Sequence, residues 1–181
     1  MAMETQPNFA LEIPLPKRYF GKYRGTVFNN IDPLGLYRLQ AIVPDVSNII
    51  PTSWAMPCLP VGGMQMGVIT VPPPGAGVWI EFEHGDPDYP IWTGCFWGSV
   101  AEIPSTAQLS PPPVPAITLQ TPLQNSIIVS DNPAVGIILK TAGGAMIMVT
   151  DAGITISNGR GAIITMVGPT VDVNAGALTI I

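Results

Sequence analysis

The sequence predicts an all-β chain in two parts: a small barrel, then a repeat of short strands that needs further copies of itself. Three observations carry this. Proline and glycine number 21 and 19 in 181 residues, and prolines this frequent forbid long helices. No segment repeats its apolar residues at helical spacing, whereas several alternate with a period of two. The character of the chain also changes after residue 124: residues 125–181 contain no aromatic residue.

Composition limits the possible partners. Charged residues make up 10% of the chain and hydrophobic residues 47%, against a usual charged fraction of about 25%. A monomer has little here from which to make a charged skin, so much of the expected surface is buried against other chains. Disorder needs the opposite balance. The net charge is −5 and the longest basic run is Lys17-Arg18, which argues against an electrostatic nucleic-acid footprint. No apolar stretch reaches the roughly 18 residues of a membrane span. The opening MAMETQPNFALEIP carries acids and no basic region. The expectation is synthesis in the bacterial cytoplasm without a signal peptide, and exit only within an assembly or by lysis. Cys58 and Cys95 lie among apolar residues and are expected to be buried, reduced thiols.

Residues 1–21 read as a proline-interrupted arm, broken at Pro7, Pro14 and Pro16, that extends over a neighbour. Residues 22–99 hold short strands between turn signals. Lys22 to Asn29 is the first and Tyr37 to Val43 the second, and Asp32-Pro33-Leu34-Gly35 turns between them. Val78-Trp79-Ile80-Glu81-Phe82-Glu83 alternates apolar and acidic, so Glu81 and Glu83 face out of a half-buried strand. His84 to Asp88 form a turn, and Tyr89 to Trp97 the next strand, bulged at Gly94. Five short strands over about 75 residues fit a small barrel of the OB type.

Residues 100–124 form a linker. Pro104, Pro111-Pro112-Pro113, Pro115 and Pro122 favour an extended, stiff path. Residues 125–181 carry only five charges, Asp131, Lys140, Asp151, Arg160 and Asp172, and glycines spaced by 9, 8, 7 and 8 residues from Gly144. Stretches such as Ile154-Thr155-Ile156-Ser157 and Val171-Asp172-Val173-Asn174 alternate between these glycines. This is the signature of a β-solenoid. About six five-residue strands in one chain leave an apolar face wet and open edges that aggregate. Three chains wound about one axis bury the faces and satisfy the edges. The expectation is an intertwined trimeric β-helix needle.

The residues resemble a known family. Tyr23-Arg24-Gly25-Thr26-Val27, followed by Asp32 to Pro44, is similar to the opening of the OB domain of phage baseplate assembly protein V. That domain recurs in the valine-glycine-repeat spikes of type VI secretion and in extracellular contractile injection systems. Trp54-Ala55 and the run Pro73 to Gly94 match a second block of the family. The resemblance implies a homotrimeric central spike of a phage tail, tailocin or injection system. It would be mounted by its OB end on a trimeric hub below the inner tube and driven through the target envelope on sheath contraction. It also implies a small PAAR-like tip protein at the far end. The apolar C-terminus, Ala177, Leu178, Thr179, Ile180 and Ile181, is expected to be the platform for that protein.

The resemblance also implies absences. Residues 100–124 are too short for the lysozyme domain of some relatives. The single histidine, His84, lies in the barrel and not at an apex where relatives bind iron. No cofactor or metal is expected, and no catalysis. His84 has no companion nucleophile or ligand at suitable spacing and reads as a solvent-facing turn residue. Glu81, Glu83, Asp86 and Asp88 read as a solvated hairpin edge or an interface, against a glycosidase pair or a calcium site. Trp79, Phe82, Trp92, Phe96 and Trp97 could stack nucleobases, but without a basic groove they read as core and trimer contacts. Gly62-Gly63 and Gly75-Ala76-Gly77 are not phosphate loops, since no helix or lysine follows. Met146, Met148 and Met166 read as needle packing. The competing functions are an OB-type binding module on a trimeric stalk and a cell-wall hydrolase.

Overall fold

The computed structural model describes residues 16–180 and divides between Gly98 and Ser99 into two compact units. In the first unit the strands are β1 (Tyr23–Asn29), β2 (Gln40–Ile42), β3 (Met56–Pro57), β4 (Gly62–Gly63), β5 (Met66–Gly67), β6 (Gly77–Phe82) and β7 (Pro90–Phe96). Five of them form one sheet in the order β2-β1-β6-β7-β3, and β4 and β5 pair only with each other. Leu39, just before β2, and Ala55, just before β3, exchange both backbone hydrogen bonds, at 3.2 and 2.7 Å. This bridge joins the two ends of the sheet and closes it into a barrel.

Alternation explains the barrel core. Along β6, Val78, Ile80 and Phe82 are buried, and they meet Val27, Leu39, Ala41, Val43, Ala55 and Trp92 in one cluster. Burying each large aliphatic side chain stabilises the unit by about 1.5–3 kcal/mol. On the outer side of β6, Glu81 accepts a 2.7 Å ion pair from Lys22. Trp79 faces Gly94 while Ile80 faces Trp92, so one extra residue, Thr93, makes the bulge expected here. The strand ends at Phe82, and Glu83 begins a 3-10 turn instead of continuing it.

Two expectations need correction. The strand expected over Tyr37 to Val43 shrinks to Gln40–Ile42, because an ion pair claims the preceding residues. The Asp32 carboxylate accepts hydrogen bonds from the N–H groups of Leu34, Leu36 and Arg38 and from the Arg38 guanidinium, the last at 2.6 and 3.0 Å. Cys58 and Cys95 are free, as expected, but exposed, not buried. Partial desolvation still raises the Cys95 thiol above its ordinary pKa. Most of the expected arm lies outside the described residues. From Tyr19 onward the chain packs on its own barrel, where Tyr19 donates its N–H to the Gly85 carbonyl at 2.8 Å and contacts the Tyr23 and Phe82 rings.

The second unit opens with 3-10 turns at Val100–Glu102 and Ser105–Leu109. Its strands are β8 (Ala116–Gln120), β9 (Ser126–Ser130), β10 (Ile137–Lys140), β11 (Met146–Thr150), β12 (Gly153–Ser157), β13 (Ile163–Val167), β14 (Thr170–Val173) and β15 (Leu178–Ile180). They form one eight-stranded sheet in chain order, every neighbour antiparallel. The stretch 100–124, expected to be an extended spacer, therefore contains two 3-10 turns and the first strand of the sheet. Ladder pairing also runs within the chain. The sequence reading leaves strand edges for neighbouring chains to complete, whereas here only the outer edges of β8 and β15 lack a partner among the described residues.

Candidate functional site: an unpartnered aliphatic face

Paired residues of an antiparallel ladder share a face, and neighbours along a strand alternate faces. The registers of this sheet sort its residues accordingly. One face receives Ile117 and Leu119 from β8, Ile127 and Val129 from β9, and Ile137 and Leu139 from β10. It continues through Ile147 and Val149, Ile154 and Ile156, Ile164 and Met166, Val171 and Val173, and ends at Leu178 and Ile180. Every position on this face is Ile, Leu, Val or Met. Within the chain they remain open to solvent: Ile117 is 64% exposed, Ile127 47%, Leu178 56% and Ile180 55%. The sheet curls so that Leu119, Ile127, Leu139, Ile147 and Ile156 line a groove of about 550 Å³.

The other face is different. Its central row runs Thr118, Ile128, Ile138, Met148, Thr155, Thr165 and Asp172 across β8 to β14. Ile128 and Ile138 are buried together with Val135, and Met148 packs on them. The segment before β8 is anchored on this face by hydrogen bonds. Thr106 bonds the Gln120 side chain at 2.6 Å, Ser110 bonds Ser130, and the Asn132 amide donates to the Leu109 carbonyl at 3.2 Å. The chain thus covers the apolar half of this face by itself. The rest of the central row is threonine and aspartate, which water suits, and the flanking rows mix polar residues with Met146, Ile163 and Val167. Among the described residues nothing covers the aliphatic face.

The corners hold the strands at this spacing. Turns after β8, β10, β12 and β14 fall on one edge of the sheet, and those after β9, β11 and β13 on the opposite edge. On the first edge successive turns touch. The Asn125 side chain accepts from Ala142 N–H at 3.1 Å, and that of Asn174 from Ile163 N–H at 2.9 Å. Gly159 has φ +71°, and a Cβ there would lie 2.5 Å from the Gly144 carbonyl carbon. Only glycine fits that corner.

In the barrel unit the predicted residues separate by role. Phe82 and Trp92 are core. The Trp92 indole N–H is buried without a partner among the described residues. Trp79 and Phe96 contact each other, with the Arg24 guanidinium 5.2 and 4.9 Å from their ring centres, and Trp97 is exposed. Asp86 pairs with Arg18 at 2.7 Å. The Asp88 N–H, more than this pairing, holds the Asp86 carboxyl below its ordinary pKa. His84 is an exposed turn residue with φ +51°. Among the described residues no cluster of His, Cys, Asp and Glu could hold a metal ion. No helix of these residues is long and apolar enough to cross a membrane. Of the expected tip platform, Leu178 and Ile180 belong to the aliphatic face, Ala177 lies in the preceding turn, Thr179 sits within β15, and Ile181 falls outside the described residues.

Sequence reasoning missed three features. Ala116-Ile117-Thr118-Leu119-Gln120 alternates plainly but sits between Pro115 and Pro122, which dominate its reading. The Asp32–Arg38 pair and the Arg24 sandwich join residues whose contacts depend on loop and barrel geometry.

The comparisons agree with this division. No curated protein matches the sequence. Residues 23–97 match the family model of the type VI secretion system/phage-baseplate injector OB domain. Residues 116–179 match that of the phage baseplate V C-terminal trimerisation domain, and this second span coincides with the sheet that carries the open aliphatic face. Two domains in this order, spanning most of the chain, place it in the phage baseplate V family, as a homotrimeric structural component of the injector spike.

Proposed function

We propose that this chain is the central piercing spike of a contractile injection machine, with the trimer closed on the aliphatic face. The single observation that supports this most is that face: eight strands contribute two large aliphatic residues each, with no cover among the described residues. Three copies facing one axis make a three-sided prism with a dry interior. At about 25 cal/mol per Å² of apolar surface removed from water, this burial is the main force for assembly. Eight strands about 4.8 Å apart give a needle of roughly 34 Å.

In this reading the barrel unit seats on a trimeric hub below the inner tube, and sheath contraction drives the needle through the target envelope. A small PAAR-like tip protein docks at the far end, where the outer edge of β15 presents free backbone groups to a partner strand. The chain acts mechanically and catalyses nothing, and it is made in the cytoplasm before joining the particle. The barrel is not read as a nucleic-acid module, since its outer aromatic pair holds one arginine and the chain is acidic overall.

The test is solution mass by light scattering, followed by electron microscopy of the particles. A mass near three times 19.1 kDa and threefold-symmetric particles are expected. A stable monomer would overturn the reading. For the tip, removal of residues 177–181 should abolish capture of the tip protein while leaving the trimer intact; capture that survives removal sinks that part alone.

A further inference from the structure

The charges of the sheet are sorted by edge. Lys140 ends β10 at the edge that carries the Gly159 corner, and Arg160 lies in the β12–β13 turn on the same edge. Asp131 and Asp151 lie in the β9–β10 and β11–β12 turns, on the opposite edge. All four are exposed. Among the described residues none of them is in an ion pair. The fifth charge, Asp172, stands in the middle of β14, away from both edges.

A ring of three identical chains has head-to-tail contacts: one edge of each protomer meets the opposite edge of the next. The levels along the stack agree as well. Lys140 lies about half a strand spacing from Asp131, and Arg160 one spacing from Asp151 in the same sense, so a modest tilt of the strands, raising one edge of every protomer by ~2–5 Å over its other edge, brings both pairs level in a closed ring. We propose that the basic edge of each protomer docks on the acidic edge of the next copy of the same chain, pairing Lys140 with Asp131 and Arg160 with Asp151 at each corner of the prism. This rests on the trimer closing on the aliphatic face and adds what sets its direction and register. The aliphatic residues are interchangeable along the stack and tolerate a slip of two strands. The charges resist it, because a slip of two strands keeps one opposite-charge contact at each corner, Lys140 with Asp151 or Arg160 with Asp131, and sets the other cation against a neutral turn.

Zero-length carbodiimide crosslinking of the full chain tests the pairing. Within one chain Lys140 and Asp131 lie on opposite edges, ~15 Å apart across the strands, so a bond between them must join two chains. Covalent dimers and trimers with a Lys140–Asp131 linked peptide are expected. Trimers of the correct mass that lack the link overturn the edge pairing and leave the aliphatic face untouched; a wild-type chain that does not trimerise overturns both. The doubly substituted chain Asp131→Lys/Asp151→Lys makes both edges basic. It should assemble about tenfold more slowly at low salt, with the difference vanishing near 1 M salt. Adding Lys140→Asp and Arg160→Asp restores opposite edges and should restore the wild-type rate. Equal rates for all three chains at low salt would overturn the proposal.

Discussion

The barrel and the sheet meet the same physical demand in opposite ways. The barrel closes on itself through the Leu39–Ala55 bridge and buries a nine-residue cluster within one chain. The sheet satisfies its backbone ladders within one chain yet leaves its larger aliphatic face in water. Backbone pairing and apolar burial are therefore separable: the first is met in one copy of the sheet except at the outer edges of β8 and β15, and the second waits for the other two copies. One chain carries a finished fold and one third of another.

This contrast can be broken from either side, and the residues supply separate reporters. Trp54, Trp79, Trp92 and Trp97 all belong to the barrel unit, so tryptophan fluorescence follows the barrel and solution mass follows the sheet. The largest effect should come from Ile147→Asp with Ile156→Asp. Each places a charge on the aliphatic face, where desolvation costs several kcal/mol per ion and symmetry triples it. Light scattering should find monomer while the fluorescence stays native; an intact trimer would show that another surface holds the copies together. Ile80→Ala attacks the other region, leaving a cavity that costs about 2–5 kcal/mol. The fluorescence transition should move to lower urea and the trimer should persist.

Gly159→Ala is smaller, about 1–3 kcal/mol per chain. It should lower the temperature at which SDS dissociates the trimer without shifting the fluorescence transition. The smallest effect concerns Asp32. The Arg38 guanidinium above all, helped by three backbone N–H groups, holds this carboxyl far below its ordinary pKa. A depressed pKa contributes stability above the unfolded value near 3.9 and loses it as pH falls further. Barrel stability should therefore be flat for this pair from pH 8 to 5 and decline below about 4. Asp32→Asn should remove that part of the decline. Trp54, whose ring lies 5.5 Å from the Arg38 guanidinium carbon, is the local probe.

The legibility of the sequence follows the same division. Period-two patterns of β1, β6 and β7 are readable because each strand faces a core on one side and water on the other. The aliphatic face was readable for the same reason, as in Ile154-Thr155-Ile156-Ser157. Strand β8 was not, because its flanking prolines mimic a spacer and its partner β9 is identified only by register. The shortened β2 was hidden as well: nothing local to Tyr37-Arg38-Leu39 reveals that Arg38 turns back to the Asp32 carboxylate. The exposure of Cys58 and Cys95 was misread because apolar neighbours in sequence need not be neighbours in space. The edge sorting of charges becomes visible only once alternating turns are assigned to sides.

In an antiparallel sheet the ladder hydrogen bonds run along the direction in which strands stack, across the strands themselves. A thrust down the stack from β8 to β15 presses each rung onto the next and shares the load over the whole ladder. Traction in the reverse sense would open rungs one after another, beginning at whichever end is held. A body built this way is a strut, stiff against thrust and weak against extraction, which is what the proposed piercing role would ask of it.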